Sequence, residues 1–206
     1  MDKPQRELRV ILIGGSSHAG KSALAQALSL KLGWRHISTD SLARHPGRPW
    51  KTKPETVPEH VAEHYLSLSV DELLADVLRH YRSMWPGIEA LVATHATDPF
   101  TDRLILEGSA LWPESVAALH LDNVAAIWLT ASGGLFETRI HHASRFGEAS
   151  AREKTMVQKF LARALLYNER MMDAVRRIGL ASLDIEATSS LDELSDLCLE
   201  ISRKPL

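Results

Sequence analysis

Cysteine is nearly absent. Cys198 is the only one in 206 residues, which excludes an internal disulfide framework and a cysteine-ligated zinc finger. It lies in an apolar helical stretch, where the expected role is that of a small buried hydrophobe. Neither sign of charge dominates: 24 Lys and Arg against 26 Asp and Glu leave a net charge of −2, so no global basic footprint for nucleic acid is present. Long hydrophobic runs are missing as well. A polar start, Met1 to Glu7, gives way to apolar residues only from Val10 to Ile13, too few for a signal-peptide core or a membrane span. The expectation is a soluble, cytoplasmic protein that does not engage a membrane. No internal repeat, low-complexity segment or interdomain linker interrupts the chain, and its length with 45% hydrophobic residues suits one core and a single domain over 1–206.

What the chain does have is a glycine-bounded loop. Gly14-Gly15-Ser16-Ser17-His18-Ala19-Gly20-Lys21-Ser22 reads G-x-x-x-x-G-K-S from Gly15 onward, the phosphate-binding P-loop or Walker A pattern. The apolar run Leu8 to Ile13 before it suits a buried parallel strand, and Ala23 to Leu28 after it carries apolar residues at helical spacing. Strand, glycine loop and helix together are the context this motif needs. Gly15 and Gly20 let the backbone bend and present N–H groups to a polyphosphate. The helix beginning near Lys21 adds unsatisfied amides and a positive dipole end. Gly15 to Ala23 therefore form the expected nucleotide cradle, with Lys21 on the β- and γ-phosphates and Ser22 as a Mg²⁺ ligand.

The P-loop helix is expected to end near Gly33, and Trp34 to Asp40 reads as a second strand. Residues 45–58 hold four of the nine prolines, which excludes a regular helix and indicates a shaped loop. With Arg44 and Arg48 it is a candidate substrate clamp. From Glu59 to about Ala96 the pattern is helical, with Trp85-Pro86-Gly87 expected to break it in two, and Val70, Leu73, Leu74, Val77, Leu78 and Tyr81 form a core-facing stripe. Arg103 to Gly108 and Asn123 to Thr130 read as a third and a fourth strand. A long helix follows Ala149, with Val157, Phe160, Leu161, Ala164, Leu165 and Asn168 on one face. A fifth strand is expected over Leu180 to Ile185, and a closing helix from Leu191 to Ile201. Strands alternating with helices predict an α/β fold with a parallel sheet covered on both faces, and ligands in such sheets bind at the carboxyl ends of the strands.

Two acids fall on that rim. Asp40, after the second strand, is a candidate general base for a hydroxyl acceptor; an alternative role is that of a helix cap. Glu107 closes an apolar strand, where P-loop proteins place an acid near the Mg²⁺ shell, usually an Asp. Between Arg139 and Arg170 seven basic residues face only three acids. Arg145 to Glu148 interrupts the helical pattern there, so 133–160 is a candidate lid with Arg139 and Arg145 as its phosphate-neutralising arginines. Arg163 reads instead as part of a solvated helix face. His60-Val61-Ala62-Glu63-His64 matches H-x-x-E-H, but no clear third ligand accompanies it, and the P-loop outweighs it as a signal.

Gly14 to Ser22, Ile-Ser-Thr-Asp (37–40) and Leu-Ile-Leu-Glu-Gly (104–108) together resemble the small P-loop kinases of the nucleoside-monophosphate-kinase type. Among these the chain is most similar to 2-phosphoglycerate kinase-like and chloramphenicol phosphotransferase-like proteins. The resemblance implies a P-loop NTPase three-layer fold, a five-stranded parallel sheet in the order 2-3-1-4-5, a mobile lid after the fourth strand, and ATP and Mg²⁺ as cosubstrates. It carries over Lys21 as phosphate ligand, Ser22 as metal ligand, Asp40 as base, Glu107 as metal-side acid, and Arg139 and Arg145 as lid arginines. Residues 45–98, a helical insert, match no familiar substrate pocket. The expected function is a phosphotransferase acting on a hydroxyl or phosphate of a small metabolite or nucleotide. An ATP-binding partner module without transfer, or a polynucleotide 5′-hydroxyl kinase, are the competing readings.

Overall fold

Strand β1 (Val10–Gly15) is buried along its whole length, and its alternate residues serve opposite faces. Ile11 and Ile13 join one apolar core, Val10 and Leu12 the other. Burial on both faces is what a central strand of a parallel sheet requires. In the computed structural model, which describes residues 7–43, 47–50 and 57–202, β1 pairs in parallel with β3 (Leu104–Glu107) and β4 (Val124–Thr130). Strands β2 (Arg35–Ser38) and β5 (Ser182–Asp184) form the edges, completing the order 2-3-1-4-5 that the resemblance implies.

Helix α1 (Lys21–Leu32) starts directly from the phosphate loop and ends at Gly33, whose left-handed backbone closes the last turn. With α2 (Glu59–Ser67), α5 (Gly133–Ser144) and α7 (Leu191–Ser202) it covers one face of the sheet, while α3 (Val70–Thr97) and α4 (Pro113–Ala117) cover the other. Helix α6 (Ala151–Ile178), 28 residues long like α3, serves both. Its first half puts Met156, Val157, Phe160 and Ala164 into one core, and its second half puts Tyr167, Met171 and Val175 into the other. Each fully buried Leu, Ile or Phe contributes about 1.5–3 kcal/mol relative to exposure, so the sheet is gripped from both sides by similar means. Cys198 is buried in this packing, and burial pushes its thiol up to about 11.

Three boundaries differ from the sequence expectation. The helical region 59–96 does not break at Pro86; α3 runs through it. A proline in a helix interior loses one hydrogen bond, but Leu73, Leu74 and Val77 before it and Ile88, Val92 and Ala96 after it are all buried, and this continuous apolar stripe holds the helix in one piece. The break falls instead at Leu68-Ser69. There the Ser69 hydroxyl accepts from the Glu72 amide, and the Ser69 amide donates to the Glu72 carboxylate at 2.8 Å, a capping box that starts α3 afresh. Second, β2 ends at Ser38 rather than at Asp40: Thr39 to Ser41 form a tight turn in which the Asp40 amide donates to the Ser38 hydroxyl, so Ser38 and not Asp40 is the cap. Third, the fifth strand is shorter than Leu180 to Ile185.

The turn after β2 is held by a close approach. A Cβ on Gly108 would lie 1.7 Å from the Thr39 hydroxyl, so only glycine after Glu107 lets Thr39 pack there. Because Ser38 is in register with Glu107, this contact brings the Asp40 turn to the end of the strand carrying Glu107.

Candidate active site

At the carboxyl ends of the strands the residues around the phosphate loop enclose a cleft of about 920 Å³. Gly14 must be glycine for packing reasons: a Cβ there would meet the Trp128 indole at 2.3 Å, and that indole donates to the Leu111 carbonyl at 2.9 Å. Gly20, at φ 93°, opens α1 with no side-chain cap, so the first amides of the helix are left for a ligand. Ser17, His18, Gly20, Lys21, Ser22 and Ala23 line the cleft. Gly15, Ser16 and Ala19 stand behind them, buried; the Ser16 hydroxyl donates to the Ala164 carbonyl at 2.8 Å and fixes the loop to α6.

Lys21 is only 8% exposed and donates to the Ser16 carbonyl at 2.8 Å, folding back over its own loop. Burial pushes its ammonium below the ordinary lysine range, with Glu107 and Asp40 pulling the other way. Glu107 is 3% exposed, and its Oε1 accepts from the Ser22 hydroxyl at 3.0 Å. A hydroxyl and a carboxylate therefore converge at the mouth of the loop. This donor set suits Mg²⁺, a hard cation that takes one or two protein oxygens and completes its shell with phosphates and water.

Asp40 is exposed and lines the same cleft, as do Arg48 and Arg139. The Arg139 guanidinium donates to the His18 carbonyl at 2.8 Å, which places it over the phosphate loop. Arg145 is not brought there. It is exposed, in the left-handed region at φ 50°, and serves as the C-cap of α5 rather than lining the cleft. Arg44 lies outside the described residues. His18 is held by three cations and by burial: burial, then Arg48, Lys21 and Arg139, lower its pKa to about 4, so the ring is neutral at physiological pH. His64 of the H-x-x-E-H segment lies 3.7 Å from Asp76 and edge-on to Tyr65. Among the described residues no three His, Cys, Asp or Glu side chains are grouped to hold a metal.

The sequence reading missed one residue of the cleft in particular. Arg163 is 6% exposed, not solvated. Its Nη1 donates to the Tyr65 hydroxyl at 3.1 Å, and its guanidinium lies 4.6 Å from the centre of the Phe160 ring. Among the described residues no carboxylate pairs with it. The signal was present in the spacing: Phe160, Arg163, Ala164 and Tyr167 follow the i, i+3, i+4, i+7 pattern, so a cation sat on the apolar face of α6. Val77 and Tyr81 of α3, expected as core, also line the cleft, as does Met84.

No known family profile matches the chain, and no curated protein matches it in sequence. Solved structures do. A gluconokinase from Sinorhizobium meliloti is 18% identical with a TM-score of 0.51, the match covering 95% of this chain and 92% of that one. A sugar kinase from Janibacter sp. is 17% identical with a TM-score of 0.53, covering 95% and 96%. Shikimate kinase from Aquifex aeolicus is 13% identical with a TM-score of 0.51, covering 93% and 96%. The chain shares their fold. The match extends over nearly the whole of each, so the five-stranded sheet and the helices around the cleft belong to one common architecture. No described helix is long and apolar enough to cross a membrane.

Proposed function

We propose that this protein is an ATP- and Mg²⁺-dependent phosphotransferase acting on a hydroxyl of a small metabolite. The observation that carries this reading is the convergence of Lys21, Ser22, Asp40, Glu107 and Arg139 on one cleft. The three solved structures compared above are named as gluconokinase, sugar kinase and shikimate kinase, which supports a small acceptor over a polynucleotide.

In this reading the triphosphate lies on the amides of the phosphate loop and the open start of α1, and Lys21 swings from the Ser16 carbonyl to bridge the β- and γ-phosphates. Ser22 and Glu107 would hold Mg²⁺, which would supply positive charge against the phosphates. Asp40 orients the acceptor hydroxyl and accepts its proton as the oxygen bonds to the γ-phosphorus; the bond from that phosphorus to the β–γ bridging oxygen breaks, and ADP leaves. Arg139 neutralises equatorial charge in the transition state. Arg163 and the exposed Arg48 hold an anionic part of the acceptor; the buried Arg163 guanidinium, with no carboxylate partner among the described residues, gains most from an incoming anion. The whole chain acts as one kinase domain, with 45–98 as the substrate-binding insert and 133–160 as the lid.

The test is a screen of hydroxylated metabolites with labelled ATP and Mg²⁺, run beside Lys21→Ala. Transfer to at least one acceptor, abolished by Lys21→Ala, supports the reading. ATP binding by calorimetry with no transfer to any acceptor class would favour a nucleotide-binding module instead.

A further inference from the structure

Segment 47–50 is pinned at both ends to the rest of the cleft. At one end the Gly47 carbonyl accepts from the Tyr65 hydroxyl at 3.2 Å, and that hydroxyl in turn accepts from Arg163. At the other end Trp50 is 6% exposed, with its indole 4.8 Å from the Phe160 ring in an edge-on arrangement and 5.8 Å from the His18 imidazole. His18 also meets Phe160 edge-on at 6.0 Å. Three segments remote in sequence thus close one ring cluster: the crest of the phosphate loop, segment 47–50 and α6. Arg48 lies between the two pins and lines the cleft.

His18 is an unusual side chain for this task. It adopts a left-handed backbone at φ 68°, which costs a non-glycine residue energy unless its surroundings fix it. Its Nδ1 is buried without a hydrogen-bond partner among the described residues. The ring therefore serves packing, and its neutral state lets it lie against two apolar rings without burying a charge. The His18 carbonyl accepts a hydrogen bond from Arg139 across the cleft.

We propose that His18, Trp50 and Tyr65 are positioning residues for Arg48: they fasten segment 47–50 to the phosphate loop, so that a nucleotide on that loop also sets the acceptor side of the cleft. This rests on the nucleotide-binding reading above. Phosphates bound to the loop amides restrict the backbone at His18. Once that backbone is ordered, holding Trp50 against it costs less conformational entropy, and the coupling is reciprocal. Arg48 is then presented to the acceptor when the donor is in place.

Hydrogen exchange with a non-hydrolysable ATP analogue and Mg²⁺ tests this on the full chain, with binding followed by calorimetry. In the wild type the analogue is expected to slow exchange at Ser17 to Gly20 and, by about fivefold or more, at the Arg48 and Trp50 amides. In Trp50→Leu, which keeps apolar volume but loses the ring, slowing at Ser17 to Gly20 persists and slowing at residues 48 and 50 disappears. Trp50→Phe, which keeps a ring for His18 and Phe160, restores most of it. Unchanged exchange at residues 48 and 50 in the wild type, or slowing that survives in Trp50→Leu, would overturn the coupling while leaving nucleotide binding intact. No calorimetric binding of the analogue to the wild type would overturn the nucleotide reading and the coupling with it.

Discussion

Two buried cations line the cleft, and they are built in opposite ways. Lys21 belongs to a contiguous loop: its hydrogen-bond acceptor is Ser16, five residues away, and Ser22 beside it reaches Glu107. Arg163 is assembled from distant parts, bonded to Tyr65 across 98 residues and through it to Gly47. Lys21 has acids nearby, Glu107 and Asp40, which favour its charge. Arg163 has aromatic rings and a hydroxyl, and no carboxylate among the described residues. In the proposed reaction the difference separates a donor half, made largely of backbone and one local motif, from an acceptor half made of side chains on separate helices. A donor common to many enzymes can be held by a portable loop. An acceptor is recognised by what the surrounding helices bring.

The comparison breaks most visibly at Lys21. Lys21→Ala is expected to lower kcat by about 10²–10³-fold, the scale for removing one charge-stabilising donor, with weaker nucleotide binding by calorimetry. Arg163→Met is expected to raise the acceptor KM by about 10–100-fold, the range for losing a hydrogen bond to a charged group, while the KM for ATP changes by less than about threefold. Arg163→Lys does not restore it, because an ammonium lacks the planar fork that spans Tyr65 and an anion. Equal effects of Lys21→Ala and Arg163→Met on both substrates would erase the division between halves. Tyr65→Phe sharpens it on a smaller scale: losing one hydroxyl costs about 0.5–1.5 kcal/mol of stability in denaturant unfolding, with the kinetic change confined to the acceptor.

His18 gives the smallest and most local readout. Its folded-state pKa of about 4 lies below the ordinary 6.5, so between those values the unfolded chain binds more protons. Stability from this residue is therefore intact above pH 6.5 and is lost as pH falls toward 4. His18→Asn, a residue that tolerates the left-handed backbone, is expected to flatten that part of the stability profile. Phosphates bound beside Lys21 and Arg139 offset their charge, so the His18 midpoint measured by NMR is expected to rise on adding ADP; a midpoint that stays put would mean the phosphates lie elsewhere.

The same division explains what could be read in advance. The strand–loop–helix around Gly15 to Ser22 is legible because its chemistry is local; Asp40 and Glu107 are legible from their places at strand ends, and resemblance adds the strand order. Ser69-Val70-Asp71-Glu72 carried a capping signature that outweighs Pro86, since a cap is a short-range bond whereas the effect of a proline depends on what packs around it. Arg163 was misread because a charged residue on a helix is usually solvated; its burial depends on Tyr65 and Phe160 meeting in space. Arg145 was misread for the reverse reason. A break in helical pattern marks a turn, but whether its arginine faces the cleft is decided by the direction in which α5 ends.

The central claim is that this cleft transfers a phosphoryl group from a donor on the phosphate loop to an acceptor at Asp40, and Asp40→Asn addresses it most directly. The expected result is a fall in transfer of about 10²–10⁴-fold, the contribution of a positioned general base, with the calorimetric affinity for ATP and Mg²⁺ within about threefold of wild type. Transfer at the wild-type rate, or ATP binding lost together with activity, would contradict the account.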